Sequence, residues 1–338
     1  MKYRRLGKTG LTVSEICLGT MTFGSMADEP TSHAILEKAY DSGVDFFDVA
    51  EIYPVPPMEE YAGRSEEILG RFLATKRRDS VIVATKVAGP PGGWFKTPVR
   101  SGKGTLDAHN IERAVEGSLR RLGTDYLDLY QTHWPDPDLP IDETLRALER
   151  VVRAGKVRYI GCSNETAYGL GRSLVISGYE KLPRYETIQN NFSLVNRRFE
   201  DELKTVCRTE SVSLLPYSPL AGGVLSGKYQ GGKWPEGARF SMYRHGGKRG
   251  ETMTRRFVNE KTLATVERVA KLAAECDMSL STFAIAWTLT RDFVGSTIVG
   301  ATRLEQLDEL LRASAVKIPD AALAACDEIT REILYPMG

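Results

Sequence analysis

Four side chains with complementary acid–base chemistry, Asp48, Tyr53, Lys86 and His133, each follow or end a short apolar run; we call them the tetrad. A phenol has a reference pKa of about 10, so Tyr53 alone is a weak acid at neutral pH. A nearby ammonium favours the phenolate, and we expect Lys86 to lower the pKa of Tyr53. Asp48 would keep Lys86 charged, while His133 would hydrogen-bond a carbonyl oxygen. Such a set can protonate an oxygen that gains negative charge, which is half of a carbonyl reduction; the hydride that completes it requires a cofactor.

The tetrad needs a fold that brings distant parts of the chain together. Eight short apolar runs are bounded by turn residues, as expected of strands buried on both faces. They lie at 16–20, 44–50, 80–86, 126–133, 157–164, 186–190, 213–218 and 296–300. Helical periodicity separates them, with apolar residues three and four apart at 111–122 and 145–152. This alternation indicates an α/β fold with a parallel sheet, and the count of eight favours closure into a (β/α)8 TIM barrel.

An open, doubly wound sheet is the alternative fold. Its dinucleotide fingerprint, G-x-G-x-x-G after the first strand, is absent from ICLGTMTFG at 16–24. We therefore predict one barrel domain over 1–338, with an N-terminal β-hairpin that caps its bottom. The irregular stretches 89–104 and 219–256 follow strand ends, and we expect them as long loops on the C-terminal face, where barrel active sites lie. All strand ends meet there, which would bring the tetrad together.

The composition excludes several classes of function. Lys plus Arg number 45 and Asp plus Glu number 44, so no basic surface for nucleic acid is indicated. The five cysteines form no C-x-x-C pair, which is typical of a protein in the reducing cytoplasm. No apolar run approaches the ~20 residues that span a membrane, and the polar N-terminus does not indicate a signal peptide. We expect no metal cofactor.

Motifs along nearly the whole chain resemble those of one family, the aldo-keto reductases. In order, they are GVDFFDVAEIY, GRSEEILG, ATKV, RLGTDYLDLYQTHW, GKVRYIGCSNE, QNNFSLVNR and LLPYSPLAGGVLSGKY. DVAEIYPVPP and GKVRYIGCSNETAYG most resemble the Tas-like branch of bacteria and plants, which is related to the potassium-channel β-subunits. The resemblance implies a (β/α)8 barrel that reduces aldehydes and ketones with NADPH. It also implies that the tetrad is catalytic and that Tyr53 is the general acid.

The resemblance further implies contacts to NADPH (NADP+) at the strand ends and in the loops that follow them. Ser163, Asn164 and Gln189 align with residues that hydrogen-bond the nicotinamide carboxamide. Tyr217 aligns with the aromatic residue that stacks on the nicotinamide ring. The other positions assigned to the cofactor are Gly19, Thr20, Met21, Asp48, Ser218, Leu220, Gly222, Lys228, Arg239, Gly300, Thr302, Arg303, Gln306 and Glu309.

Phosphate recognition departs from the family pattern at one place. Lys228 and Arg239 match positions that contact phosphate, but many members carry an arginine for the 2′-phosphate where this chain has Gln306 and Leu307. Arg303 can substitute, since free N–H groups at the start of that helix already favour an anion. We therefore expect a preference for NADPH over NADH.

Two alternative functions remain open. Lys86 could form a Schiff base, but such a lysine must be neutral to attack a carbonyl, and Asp48 would keep it charged. The chain could instead be an NADP(H)-sensing, protein-binding module with little or no catalysis, as the resemblance to channel β-subunits suggests. Turnover of NADPH with a panel of aldehydes separates the module from the enzyme.

The substrate is expected to be a small carbonyl compound bound in an apolar pocket that tolerates aromatic groups. Trp94 and Trp134 are assigned to substrate binding together with Tyr53 and His133, and Phe95 can line the same pocket. Trp94 and Phe95 can equally serve to anchor their own loop. Neither the physiological substrate nor the oligomeric state follows from the sequence.

Overall fold

Eight parallel strands form a closed barrel in the computed structural model, which describes residues 1–93 and 95–337. Two strands of a separate hairpin come first, β1 (Tyr3–Arg5) and β2 (Thr12–Ser14). The eight barrel strands are β3 (Ile16–Gly19), β4 (Phe46–Asp48), β5 (Ile82–Val87), β6 (Leu127–Thr132), β7 (Val157–Ser163), β8 (Tyr185–Gln189), β9 (Ser213–Leu214) and β10 (Thr297–Val299). The barrel order is β10-β3-β4-β5-β6-β7-β8-β9. Backbone hydrogen bonds from Leu214 N to Phe293 O (2.8 Å) and from Ile298 N to Pro216 O (2.9 Å) join its two ends. The predicted (β/α)8 fold is confirmed.

Helices follow the barrel strands along the chain. They are α1 (Glu29–Asp41), α2 (Arg64–Leu73), α3 (Ala108–Leu122), α4 (Ile141–Arg153), α5 (Ala167–Glu180), α6 (Leu203–Glu210), α7 (Arg239–Tyr243), α8 (Gly247–Phe257), α9 (Glu260–Glu275), α10 (Leu280–Leu289), α11 (Gln306–Arg312) and α12 (Asp320–Glu332). In α3 the Asp107 side chain accepts the N–H of Asn110 at the start, and Gly123, with φ 63°, ends the helix. Across the described residues, no helix is both long and apolar enough to cross a membrane.

The N-terminal hairpin closes the bottom of the barrel, as predicted. β1 and β2 pair antiparallel, and Leu6, Leu11 and Val13 are almost completely buried. These side chains share a core cluster with side chains from the barrel strands, namely Cys17, Phe46, Ala84, Leu129 and Ile298, and with Leu215. Burial of one large aliphatic side chain contributes about 1.5–3 kcal/mol. The hairpin therefore stabilises the end of the barrel opposite the tetrad.

The segment after β9 contains more helix than the sequence indicates. The irregular loop expected at 219–256 holds two short 3-10 turns and the helices α7 and α8. Phe240 of α7 and Phe257 of α8 are buried, and their rings stack with centroids 5.0 Å apart. The local sequence is rich in glycine and has a low helix propensity. The two helices are stabilised instead by packing of these aromatic rings against each other and the core.

Two other expected stretches differ in detail. The strand expected at 213–218 covers only Ser213–Leu214. Pro216 has no N–H to donate, so it cannot extend a central strand. The loop expected at 89–104 contains a 3-10 turn at Arg100–Gly102.

Candidate active site

The tetrad converges at the C-terminal end of the barrel around a buried ammonium. Lys86 in β5 is fully buried, and β5 pairs with β4, which ends at Asp48. Its Nζ donates to Asp48 Oδ1 at 2.5 Å and to the Val49 carbonyl oxygen at 2.8 Å, and lies 3.5 Å from Tyr53 Oη. Burial acts to lower the pKa of Lys86, but Asp48 and Tyr53 together outweigh it, and the pKa is raised. Lys86 therefore remains charged at neutral pH.

The phenol of Tyr53 keeps its proton at neutral pH. Burial raises the pKa of Tyr53 above its ordinary value; Lys86 opposes this increase and Asp48 adds to it. Lys86 thus acts in the direction that the sequence indicates, but the net pKa is raised, because desolvation of the phenolate outweighs the attraction of the ammonium. A protonated phenol beside a fixed positive charge is suited to donate its proton.

His133 follows β6 and is neutral. Burial, followed by the Lys86 charge, lowers its pKa well below the ordinary range. Its ring stacks on Trp134 with centroids 3.9 Å apart and meets the Tyr53 ring edge-on at 5.7 Å. The buried Nδ1 has no hydrogen-bond partner among the described residues. An unpaired ring nitrogen in this position fits a ligand atom that completes its hydrogen bonding.

Asp48 accepts hydrogen bonds from two side-chain amides as well as from Lys86. Gln189 Nε2 donates to Asp48 Oδ2 at 2.8 Å, and Gln131 Nε2 lies 3.3 Å from the same oxygen. The resemblance assigns Gln189 to the nicotinamide carboxamide, and the structure commits one of its amide donors to Asp48. Sequence reasoning did not select Gln131. Its position in β6 could have identified it. Alternate residues of a strand face the same side, and Gln131 lies two residues beyond Leu129, which faces the barrel interior.

The ends of β7 and β8 and the chain after β9 are tied together by the polar side chains that the resemblance assigns to the nicotinamide. Asn164 Nδ2 donates to the His133 carbonyl oxygen at 2.9 Å, and Tyr217 Oη donates to Asn164 Oδ1 at 2.8 Å. Ser163 Oγ donates to the Gln189 carbonyl oxygen at 2.7 Å. The four side chains assigned to the nicotinamide therefore lie next to the tetrad, on the same rim.

A cluster of cations lies in the segment after β9 and at the turn after β10. Lys228 is half-buried, and its pKa is lowered by burial and then by the nearby Arg239 and Arg303. None of these three side chains forms an ion pair within the part of the chain that the structure describes. Gly223 has φ 97°, and a Cβ there would lie 2.7 Å from the Lys228 side chain. An uncompensated cationic cradle fits the phosphate groups of a dinucleotide.

The same loop contains the other residues assigned to the pyrophosphate. Ser218 has φ 54° and Gly222 has φ 65°, and between them Leu220 is partly buried. A Cβ on Gly222 would lie 2.7 Å from the Phe240 ring, so a larger residue would displace that ring. The tight turn thus depends on glycine at this position.

The start of α11 differs from expectation. The sequence predicts free backbone N–H donors there, but Gln306 Oε1 accepts the N–H of Thr302 at 2.9 Å and that of Arg303 at 3.2 Å. The prediction is therefore wrong for these two groups, because the Gln306 side chain caps the turn itself. Arg303 retains an exposed side chain, whereas Glu309 lies further along the helix.

The end of β3 holds the remaining assigned positions. Thr20 is fully buried, and its hydroxyl donates to the Asp48 carbonyl oxygen. A Cβ on Gly19 would lie 2.7 Å from Ile298, and one on Gly300 would lie 3.7 Å from the Gly19 carbonyl oxygen. Met21 is partly buried against the main core. The structure thus places this strand end beside β4, with the Thr20 side chain already committed to protein contacts.

Aromatic rings extend outward from the tetrad. The Phe95 ring meets Trp134 edge-on at 5.6 Å, and Trp134 stacks on His133. The Arg249 guanidinium lies 5.3 Å from the centroid of the Phe95 ring. Phe95 therefore lines one wall with Trp134, and Trp94 lies outside the described residues.

These features define a class of protein: a (β/α)8 barrel whose C-terminal rim carries a buried phenol beside an ammonium, together with a cluster of unpaired cations among the described residues. Interconversion of a carbonyl group and an alcohol by hydride transfer needs a group that gives or takes the proton and a cofactor that carries the hydride. Within the described residues, no group of three or more His, Cys, Asp or Glu side chains could hold a metal ion.

Comparison with known proteins gives the family. The chain belongs to the aldo/keto reductase family, whose model matches residues 15–331. It is 38% identical to Protein tas of Escherichia coli (strain K12) over 99% of both chains. Identity to a probable voltage-gated potassium channel subunit beta of Arabidopsis thaliana is 33%, over 98% of this chain and 97% of that one. Identity to L-glyceraldehyde 3-phosphate reductase of E. coli (strain K12) is 32%, over 93% and 87%. The protein is an oxidoreductase that acts on small carbonyl compounds, and its family generally uses nicotinamide coenzymes.

Proposed function

We propose that the protein reduces aldehydes and ketones to alcohols with NADPH, and that Tyr53 is the general acid. One observation carries the proposal. The Lys86 ammonium lies 2.5 Å from Asp48 and 3.5 Å from the Tyr53 phenol, in a site where all three side chains are buried. A proton donor, a fixed positive charge and its counter-ion are thus assembled in the order that oxygen protonation needs.

Each side chain has a separate role in the proposed reaction. Tyr53 holds the proton at Oη until the substrate oxygen gains charge. Lys86 then stabilises the phenolate that forms, and Asp48 keeps Lys86 charged and oriented. His133, being neutral, can donate one hydrogen bond that places the carbonyl oxygen near Tyr53. When bound, the nicotinamide coenzyme supplies the hydride.

The polar rim residues would hold the coenzyme. We propose that Ser163, Asn164 and Gln189 bind the carboxamide and that Tyr217 stacks on the ring. The proposed phosphate and adenosine contacts are Ser218, Leu220, Gly222, Lys228, Arg239, Gly300, Thr302, Arg303, Gln306 and Glu309, and Gly19, Thr20, Met21 and Asp48 complete the set. The cationic cradle supports NADPH rather than NADH, since a 2′-phosphate adds two negative charges near unpaired arginines.

A second candidate is a cofactor-sensing module that binds another protein. The observation that favours it is the 33% identity to the probable voltage-gated potassium channel β-subunits of Arabidopsis thaliana and rice. All four tetrad groups are present and close together, which supports catalysis instead.

Loss of NADPH absorbance with a panel of aldehydes and ketones tests the proposal. We expect turnover with several members of the panel. In a Lys86→Met control, the rate of NADPH loss should be the same with and without a carbonyl substrate. A wild-type protein that binds NADPH but turns over no member of a broad panel would favour the sensing module.

A further inference from the structure

Glu51 lies on the loop that carries Tyr53, three residues after Asp48, and only 3% of its surface is exposed. Its backbone N–H points to the Lys86 carbonyl oxygen at 3.4 Å, and its Oε1 accepts the N–H of Ala88 at 2.6 Å. The loop that holds the phenol is therefore attached at two points, one in β5, the strand that holds the ammonium, and one at the residue just after it. Both points lie within two residues of Lys86.

Arg100 completes this arrangement from the 89–104 loop. Its Nη1 donates to Glu51 Oε2 at 2.7 Å, and its Nη2 donates to Oε1 at 2.8 Å and to the Ala88 carbonyl oxygen at 3.0 Å. The backbone of Arg100 has φ 50°, a left-handed conformation that a non-glycine residue adopts when its contacts hold it there. Its side-chain contacts to Glu51 and Ala88 contribute to this, together with the backbone hydrogen bond from Lys103 N–H to the Arg100 carbonyl oxygen at 3.1 Å.

Stability alone does not account for this pair. Removing two charges from water costs about as much as their attraction returns, so a buried ion pair is weak evidence for a stabilising role. Bidentate geometry with a third bond to the backbone is, however, well suited to fixing positions. The group that depends on that position is the phenol of Tyr53, two residues beyond Glu51.

We propose that Glu51 and Arg100 are positioning residues that set the distance between the Tyr53 phenol and the Lys86 ammonium. Without the pair, the Tyr53 loop can shift against β5 while the barrel itself remains closed. The pair also holds the 89–104 loop against the Tyr53 loop, so it fixes the wall that Phe95 forms with Trp134. The inference rests on the proposed role of Tyr53.

The chain offers a matched control at the opposite end of β5. Asp128 is also buried, accepts Arg78 Nη2 at 2.8 Å and Arg158 Nη1 at 2.6 Å, and accepts the backbone N–H of Val83 at 3.0 Å. It thus combines the same kinds of group, a buried carboxylate, arginine donors and a backbone amide of the β5 segment, far from the tetrad. Its loss affects stability without touching the Tyr53 loop.

The test compares the single-turnover rate of reduction at saturating NADPH, the dissociation constant of NADPH, and the melting temperature. Glu51→Gln and Arg100→Met are each expected to slow the single-turnover rate about 10- to 100-fold, because a misplacement near 1 Å has that effect. The double variant should be about as slow as either single variant, since the pair acts as a unit. Arg100→Lys, which keeps the charge but loses the bidentate geometry, should show an intermediate rate. NADPH affinity should not change.

Asp128→Asn should lower the melting temperature and leave the single-turnover rate intact. A wild-type rate in folded Glu51→Gln and Arg100→Met would overturn the proposal. An equal loss of rate in Asp128→Asn would also overturn it, since it would show a general effect of destabilisation. If Glu51→Gln does not fold, a wild-type rate in Arg100→Lys overturns the proposal.

The two proposals fail in different ways. Full turnover by Tyr53→Phe would remove the proposed function itself. A slow Tyr53→Phe together with a fast Glu51→Gln would leave that function intact and remove the positioning role alone.

Discussion

At the scale of single residues, the site is built around a charged ammonium that has no exposure to water. An isolated ion in such a place costs several kcal/mol. Lys86 is stabilised there by Asp48 and the Val49 carbonyl oxygen, and Asp48 in turn accepts amide donors from Gln189 and Gln131. The network favours the charged form of the lysine. A Schiff-base mechanism needs the neutral form, and this geometry disfavours it.

The Asp48–Lys86 pair should behave as one unit in catalysis. If Asp48 acts only by orienting and charging Lys86, the double variant Asp48→Asn, Lys86→Met should be little slower than Lys86→Met alone. Turnover rates of the two single variants and the double variant give the interaction directly. Losses that multiply across the two sites would mean that Asp48 and Lys86 act independently.

His133 should make stability depend on pH. Its pKa in the folded protein lies well below the ordinary value, so below about pH 6.5 the unfolded chain binds a proton that the folded chain does not. The contribution of His133 to the free energy of unfolding is therefore complete above that pH and is lost as the pH falls toward the folded pKa. Denaturant unfolding of wild type and His133→Asn between pH 8 and pH 5 measures it. Parallel curves for the two proteins would contradict a neutral, buried His133.

The residues that the sequence could identify are those whose chemistry is unusual for their place. A lysine or histidine at the end of a buried strand stands out, and the structure brings Asp48, Lys86 and His133 together as expected. Glu51 and Arg100 could not be found in this way. They are 49 positions apart, each is an ordinary charged residue in a loop, and only the fold brings them into contact.

At the scale of elements, strands were easier to predict than the long segment after β9. The barrel strands are runs of apolar residues buried on both faces, so composition alone marks them. The helices α7 and α8 are instead stabilised by the stacked Phe240 and Phe257, which belong to separate elements. The cap that Gln306 forms on the turn before α11 could not be predicted either, because it depends on a side-chain conformation that residue spacing does not specify.

The cationic cradle should determine coenzyme choice. We predict tighter binding of NADPH than of NADH, with Arg239 and Arg303 responsible for most of the difference. A charge-assisted hydrogen bond contributes about 1.5–3 kcal/mol, or roughly tenfold or more in affinity. Dissociation constants for both coenzymes in wild type, Arg239→Ala and Arg303→Ala test this, with the exposed Arg255→Ala of α8 as a control for net charge.

The outcomes separate two parts of that prediction. Equal affinities of the wild type for NADPH and NADH would contradict the choice of NADPH. A preference that survives in both arginine variants would contradict the assignment to these two residues and leave Lys228 as the remaining cation of the cradle.

At the scale of the whole molecule, the barrel separates stability from chemistry. The hairpin core of Leu6, Leu11 and Val13 fills one end, and the tetrad occupies the other. The count of eight strands and the missing dinucleotide fingerprint were enough to predict closure. One domain over 1–338 stays a prediction. The net charge of +1 does not reveal the basic segment after β9, because acidic residues elsewhere in the chain balance it in the sum.

The central claim is that Tyr53 gives its proton to the carbonyl oxygen in an NADPH-dependent reduction. Its most direct test is the single-turnover rate of Tyr53→Phe at saturating NADPH, with the NADPH dissociation constant measured on the same protein. We predict a rate lower by about 10²–10⁴-fold, because a general acid is lost, and a dissociation constant close to that of the wild type. A variant that reduces the same aldehyde at the wild-type rate would contradict the claim.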